Sequence, residues 1–160
     1  MTKFLLLAGA LAIFLPGCGT DERERLISSA LDQINSAASN MSAIKENVLK
    51  WEKEKKESEK TKLLKNAVDQ TAALTKNAQF FQAIKGQADK LEPGTPETRK
   101  ELVDKYRDRF ATAIDNANKE RIALNDAIAK AEKTNKTALS DLKINLQKAQ
   151  GDFENLVKQR

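Results

Sequence analysis

Apolar residues recur at intervals of three and four along most of the chain, which is the spacing of one face of an α-helix. The first stripe runs from Ile27 to Trp51, and a second runs from Leu64 to Leu91. A third stripe begins at Phe110 and continues through Leu142 in steps typical of a heptad repeat. Ala, Lys, Glu, Gln and Leu, all strong helix formers, dominate the residues between. The pattern predicts an all-α fold.

The segment 52–62, with the sequence EKEKKESEKTK, contains no apolar residue and separates the first two stripes. Because each helical residue advances by about 100°, the stripes before and after it face nearly opposite ways. One straight helix cannot place both stripes against a single partner. We therefore expect a bend or break here, as a hinge, a hairpin loop or a twisted, solvated helix. Oppositely charged residues four positions apart favour helix over disorder.

The one clear turn signal lies at 92–96, where Pro93 ends the first helical region. Thr95 is suited to the N-cap of the next helix, Pro96 to its first position, and Glu97 to its positive dipole end. The leading architecture is a long antiparallel helical hairpin or coiled coil, and a three- or four-helix bundle is the alternative. A further break at 134–137 is disfavoured, because the third stripe passes through it without losing phase.

Several bulky residues on these stripes are expected to pack helix against helix, and we call them the seam residues. Arg121 and Asn135 interrupt the third stripe, where they either fix the register of the helices or reach solvent at the edge. Trp51 borders the charged segment and is a candidate contact for a protein partner, since exposed aromatic residues often dominate interfaces. The seam residues are Phe81, Phe110, Ile114, Leu124, Ile128 and Leu142.

Composition argues against most catalytic chemistry. The 160 residues include no His and one Cys, so His-based triads, internal disulfides and Cys/His metal clusters are excluded. Two S-x-x-K motifs, at Ser42 and Ser140, lack the other motifs of penicillin-recognising enzymes. Acidic residues alternate with basic ones, as on a solvated helix face. We expect no enzymatic activity, no catalytic residue, no cofactor and no metal site.

The N-terminus has the organisation of an export signal. Lys3 precedes twelve apolar or small residues, FLLLAGALAIFL, which is too short a run to span a bilayer. Leu15-Pro16-Gly17-Cys18 follows directly, and this sequence resembles the lipobox of bacterial lipoproteins. The resemblance implies that the signal at 1–17 is removed and that Cys18 carries the lipid. Residues 18–21 would then form the attachment and a short linker, and 22–160 a single elongated helical domain.

These features lead to one functional expectation and one alternative. The first is a lipid-anchored helical lipoprotein of the bacterial cell envelope with a structural or protein-interaction role. Gly19 after the lipidated Cys implies, in a diderm host, the periplasmic face of the outer membrane. Its partners would be the membrane, through Cys18, and an unknown protein or a second copy. The net charge of +5 is spread along the chain, so no nucleic-acid partner is expected. The alternative is a helical-bundle binding module for a lipid or another envelope ligand.

Overall fold

The computed structural model of the chain describes residues 20–91 and 95–158, which form four helices. Helix α1 covers Thr20–Lys53, α2 covers Glu57–Ala88, α3 covers Pro96–Glu132 and α4 covers Ser140–Lys158. The described residues contain no strand. The predicted all-α fold is confirmed, and among the architectures considered it is the four-helix alternative that describes this chain. Signal residues 1–17 and Cys18 lie outside the described residues.

Helix α1 packs against both α2 and α3, and α2 also packs against α4. The core-facing side of α1 is apolar from Leu26 to Trp51, which explains why two other helices cover it. Arg23, also buried, is the one charged residue among the fully buried side chains of the described region. The buried apolar residues of α1 are Leu26, Ile27, Ala30, Leu31, Ile34, Ala37, Met41, Ile44, Val48 and Trp51.

The helix directions follow from contacts that join distant residues. Asn77 of α2 contacts Gln33 and Asn40, whereas Lys60 lies over the Trp51 ring, so α1 and α2 are antiparallel. Helix α3 runs parallel to α1, because its ion pairs reach successively later α1 residues: Lys105 with Glu24, Glu120 with Lys45, and Lys130 with Glu52. Thr20, Ala88 and Pro96 therefore lie at one end of the bundle, which we call the proximal end.

Helix α4 returns along α3 and covers only part of the bundle. Lys143 pairs with Glu132, and Arg121 with Glu154, so α3 and α4 are antiparallel. At 19 residues α4 is about 28 Å long, half the roughly 55 Å of the 37-residue α3. The half of the bundle far from the proximal end therefore has four helices, and the proximal half has three.

The predicted break within 52–62 is confirmed, and it is a short hairpin loop at 54–56. Glu54 holds this loop, since its carboxylate accepts hydrogen bonds from the backbone amides of Lys55 at 2.8 Å and Lys56 at 2.9 Å. The rest of the charged segment is helical, from Glu57 onward. The i,i+4 charge pattern thus predicted helix for most of this segment, and only the three-residue loop interrupts it.

The argument against a break at 134–137 is wrong. Helix α3 ends at Glu132, and α4 begins only at Ser140. Asn135 stabilises the connection, because its side-chain oxygen accepts a hydrogen bond from the Ala138 amide at 3.2 Å. The run TNKT from 134 to 137 has low helix propensity and no buried side chain. The regular spacing of apolar residues through 134–137 therefore did not require a continuous helix. The chain reverses direction after α3, and α4 buries the apolar residues that continue the third stripe.

The start of α3 matches its sequence signals. The Thr95 hydroxyl accepts a hydrogen bond from the Thr98 amide at 3.2 Å, so Thr95 is the N-cap, with Pro96 and Glu97 in the first turn. Of the turn predicted at 92–96, residues 92–94 lie outside the described residues.

Two glycines inside helices offer a direct test of helix energetics. A Cβ added at Gly86 or Gly151 would meet no atom within 4 Å. Replacing either with alanine removes the entropic cost of a helical glycine without creating a clash. We expect Gly86→Ala and Gly151→Ala each to increase the free energy of unfolding by roughly 0.5–1 kcal/mol in urea titrations.

The matched control is Ala72→Gly, an exposed position in the interior of α2. This change should lower the free energy of unfolding by about 1 kcal/mol, because it adds the same entropic cost. A loss of stability in either glycine-to-alanine variant would contradict the helical environment assigned to that position.

Candidate interaction surfaces

The seam residues lie where the stripes placed them, inside the bundle. Phe81 comes from α2 and Leu142 from α4, and the remaining four lie on α3. Ile114 is partly covered, whereas the other five are buried. Since all six pack in one core, they stabilise the fold and offer no surface to a partner.

Trp51 does not present an exposed ring, so the exposure on which its interpretation as a partner contact was based is absent. The side chain is only 4% exposed and belongs to the core cluster. The Lys60 ammonium lies 5.8 Å from the ring centroid and covers it from α2. The sequence could not distinguish these cases, because Trp51 continues the α1 stripe and also borders a fully polar segment.

The two polar interruptions of the third stripe have different environments. The Arg121 Nη1 atom lies 2.7 Å from the Glu154 carboxylate, so this residue joins α3 to α4 at a half-buried position. Asn135 is exposed in the loop that follows α3. Of the two interpretations left open, a contact between helices describes Arg121, and a solvent-facing edge describes Asn135.

A row of polar contacts joins α1 to α3. The Glu24 carboxylate accepts hydrogen bonds from the Lys105 ammonium at 2.6 Å and the Tyr106 hydroxyl at 2.8 Å. Further along, Lys45 and Glu120 are 2.6 Å apart. Because these contacts lie at successive levels, they fix the register of the two parallel helices.

These contacts change the pKa values of their members. Hydrogen bonds from Lys105 and then Tyr106 lower the pKa of Glu24. The hydrogen bond from Lys45 lowers the pKa of Glu120, with a smaller contribution from Ser42. Burial, followed by the hydrogen bond to Glu24, raises the pKa of Tyr106. The row is therefore fully formed near neutral pH.

An amide cluster joins α1 to α2. Asn40 donates a hydrogen bond to the Asn77 side-chain oxygen at 2.7 Å, and Asn77 donates one to Gln33 at 3.0 Å. Asn77 itself is buried. Its contacts satisfy a polar group within the core, where an unsatisfied amide would destabilise the fold. We therefore assign this cluster a structural role.

Two open depressions follow the groove between α1 and α3. The first has a volume of about 420 Å³, and the second has about 350 Å³. Both are open to solvent, so they do not resemble the enclosed sites that bury an apolar ligand. The first is lined by Glu24, Arg25, Ser28, Ser29 and Tyr106, and the second by Leu31, Asn35, Asp108, Arg109, Thr112, Ala113 and Asn116.

Large exposed apolar side chains are scattered over the described surface. Phe80 is 59% exposed on α2, Ile122 is on α3 and Ile144 is on α4. Each is on a different helix, and the residues around them on their own helices are largely polar. They form no continuous apolar patch that would indicate an interface.

The lysines of the two S-x-x-K motifs form ion pairs between helices. In the two S-x-x-K motifs, Lys45 pairs with Glu120 and Lys143 with Glu132. Across the described helices, no group of His, Cys, Asp or Glu side chains could hold a metal ion. None of these helices is apolar and long enough to cross a membrane.

Positive charge is concentrated at the end of the bundle that lies opposite the proximal end, and we call this region the lysine end. It consists of segments 50–62 and 130–143, which hold ten Lys and six acidic residues. The rest of the chain after residue 17 has 17 basic and 17 acidic residues. The interpretation that the basic excess is spread along the chain is wrong, because folding gathers two separated segments at one end. The excess of lysine in each segment can be counted from the sequence. That the two segments lie at the same end of the bundle follows only from the order and direction of the helices.

The described residues form a four-helix bundle in which one helix, α4, is short. Comparisons of the chain with protein-family models, with curated proteins and with solved structures find no match.

The α1–α3 contacts predict a dependence of stability on acid pH. Glu24 and Glu120 have folded-state pKa values below the ordinary 4.5, so they stabilise the protein above that pH. This stability is lost as the pH falls through the lowered values. We expect the urea midpoint to fall steadily below about pH 4.5. The double variant Glu24→Gln/Glu120→Gln should show a smaller fall.

The control for this experiment is Asp126→Asn, which removes an exposed carboxylate on α3 that forms no salt bridge within the described region. It should leave the acid dependence of the wild type in place. If the double variant follows the wild-type curve instead, the α1–α3 row does not contribute to stability.

Trp51 provides the second test. Because the ring is buried, Trp51→Ala should lower the free energy of unfolding by about 3–5 kcal/mol, and Trp51→Phe by less. As the only Trp, it should also show blue-shifted emission that moves to the red on unfolding. Wild-type stability in Trp51→Ala would mean that the ring lies outside the core.

Proposed function

We propose that this protein is a lipid-anchored helical lipoprotein of the bacterial cell envelope with a structural or interaction role, and not an enzyme. The observation that carries the proposal is the sequence Leu15-Pro16-Gly17-Cys18, placed directly after a short apolar run and on the only Cys of the chain. This arrangement resembles the lipobox of bacterial lipoproteins.

The position of the bundle agrees with this proposal. Helix α1 begins at Thr20, two residues after Cys18. Two residues span at most about 7 Å, so a lipid on Cys18 would hold the proximal end close to the membrane surface. One acyl chain binds a membrane only marginally, whereas the two or three chains of this class bind stably. In a diderm host, Gly19 after the lipidated Cys favours the outer membrane.

The alternative, a binding module for a lipid or another envelope ligand, has weaker support. Alanine provides many of the buried positions, among them Ala30, Ala37, Ala67 and Ala131, so the helices approach closely. The two depressions are open to solvent and enclose no ligand-sized space. A ligand in the α1–α3 groove would therefore lie on the surface of the bundle.

The lipid anchor is tested by Cys18→Ala in the full chain. We expect the wild type to incorporate labelled palmitate and to sediment with membranes. The variant should lose the label, because no thiol remains to accept the diacylglycerol, and it should retain the unprocessed signal, which N-terminal sequencing will detect. Thr20→Ser is the matched control and should behave as the wild type.

A Cys18→Ala variant that is labelled as strongly as the wild type would overturn the proposal. Wild-type protein that is cleaved after residue 17 and recovered without lipid would do so as well.

A further inference from the structure

We propose that the lysine end docks on the anionic phospholipid surface of a second membrane, opposite the membrane that holds the Cys18 lipid. The inference depends on the proposed function for the anchored end alone. The docking itself rests on the charges and geometry of the lysine end.

Five lysines of this end are already engaged in ion pairs within the bundle. Lys130 pairs with Glu52 at 3.3 Å, Lys143 with Glu132 at 2.9 Å, and Lys60 with Glu57 at 3.2 Å. The pairs of Lys50 with Glu46 and Lys62 with Glu59 are longer, at 3.7 and 3.9 Å. These pairs consume most of the acidic residues of the lysine end.

The other five lysines are exposed and form no salt bridge within the described residues. Three lie at the α1–α2 loop, where Lys53 is the last residue of α1, and two lie in the α3–α4 connection. The Glu54 carboxylate, which lies between Lys53 and Lys55 in the sequence, accepts hydrogen bonds from two backbone amides instead. The five residues are Lys53, Lys55, Lys56, Lys133 and Lys136.

Both loops belong to the same end of the bundle. The Glu52–Lys130 pair joins the last turns of α1 and α3, and each helix is followed directly by its loop. A flat surface can therefore contact both groups of lysines together. The depressions of the α1–α3 groove are lined by residues far along the helices from this end, so they do not compete for the same ligand.

The choice of basic residue favours a membrane over a discrete anionic site. All ten basic residues of the lysine end are Lys, although the chain contains seven Arg. Arginine binds single carboxylates or phosphates through a planar fork, whereas lysine acts as a hydrated point charge on a flexible stem. Several lysines near an anionic bilayer gain attraction from its surface potential without specific geometry.

The length of the bundle places the lysine end away from the anchoring membrane. Helix α1 has 34 residues, so about 50 Å separates Thr20 from the loop at 54–56. Thr20, two residues after Cys18 in the sequence, and the lysine end are then at opposite ends of the bundle. A bundle standing on its lipid would present the lysines to a facing surface.

The experiment uses the lipid-anchored protein in neutral phosphatidylcholine vesicles. Flotation first measures anchoring. Fluorescent vesicles containing phosphatidylglycerol are then added, and their capture is measured at low and high salt. We expect capture at low salt that is lost at high salt, because surface attraction is screened. Changing Lys53, Lys55, Lys56, Lys133 and Lys136 to Gln should reduce capture at least about tenfold.

The control variant changes five other exposed lysines to Gln, which removes the same net charge from positions outside the lysine end. It should capture anionic vesicles as the wild type does. Circular dichroism and thermal melting of both variants verify the fold. The control positions are Lys65, Lys76, Lys90, Lys100 and Lys148, none of which forms a salt bridge in the described parts of the chain.

Anchored wild-type protein that captures no anionic vesicles would overturn the docking proposal and leave the lipoprotein proposal intact. Equal loss of capture in both variants would also overturn it, since net charge alone would be responsible. Binding to soluble polyglutamate without vesicle capture would identify an acidic polymer instead. If anchoring itself fails, sedimentation of the unanchored chain with phosphatidylglycerol vesicles still decides the role of the five lysines.

Discussion

The burial of one apolar face of α1 between α2 and α3 is the interaction on which the rest of the structure depends. Helices α2 and α3 both lie on α1, and α4 is positioned by α2 and by side-chain contacts with α3. Ion pairs such as Lys45–Glu120 are half-exposed and contribute little energy compared with ten buried apolar residues. Their role is to select the register in which α3 covers α1.

The elements that could be predicted from the sequence are those whose signals are local. The Thr95 cap, Pro96 and the apolar face of α1 belong to this group, because each depends on a few neighbouring residues. The break after Glu132 could not be predicted from periodicity, since α4 continues the same apolar phase after reversing direction. Its cause is the low helix propensity of TNKT together with the side-chain contact of Asn135. Trp51 was ambiguous for a related reason, as its covering residue Lys60 comes from another helix.

The candidate surface depends even more on topology. Segments 50–62 and 130–143 are about 80 residues apart, and each has only a small excess of lysine. They meet because α1 and α3 run parallel and have similar lengths. Helices α1 and α3 are parallel because α2, which is antiparallel to α1, returns the chain to the proximal end before α3 begins. The charge asymmetry of the bundle is thus a consequence of its helix order.

A short connection between Cys18 and α1 matters for any function at the far end. A long flexible linker would let the bundle sample many orientations, and the concentration of its far end near a given surface would fall with linker length. With only Gly19 between Cys18 and the first residue of α1, a lipid on Cys18 would restrict the proximal end to the membrane surface. The reach of the lysine end would then be set by helix length, which a rigid bundle fixes far better than a disordered chain of the same number of residues. A protein that acts by position benefits from this arrangement, since four helices with a continuous core hold their length where one isolated helix would bend.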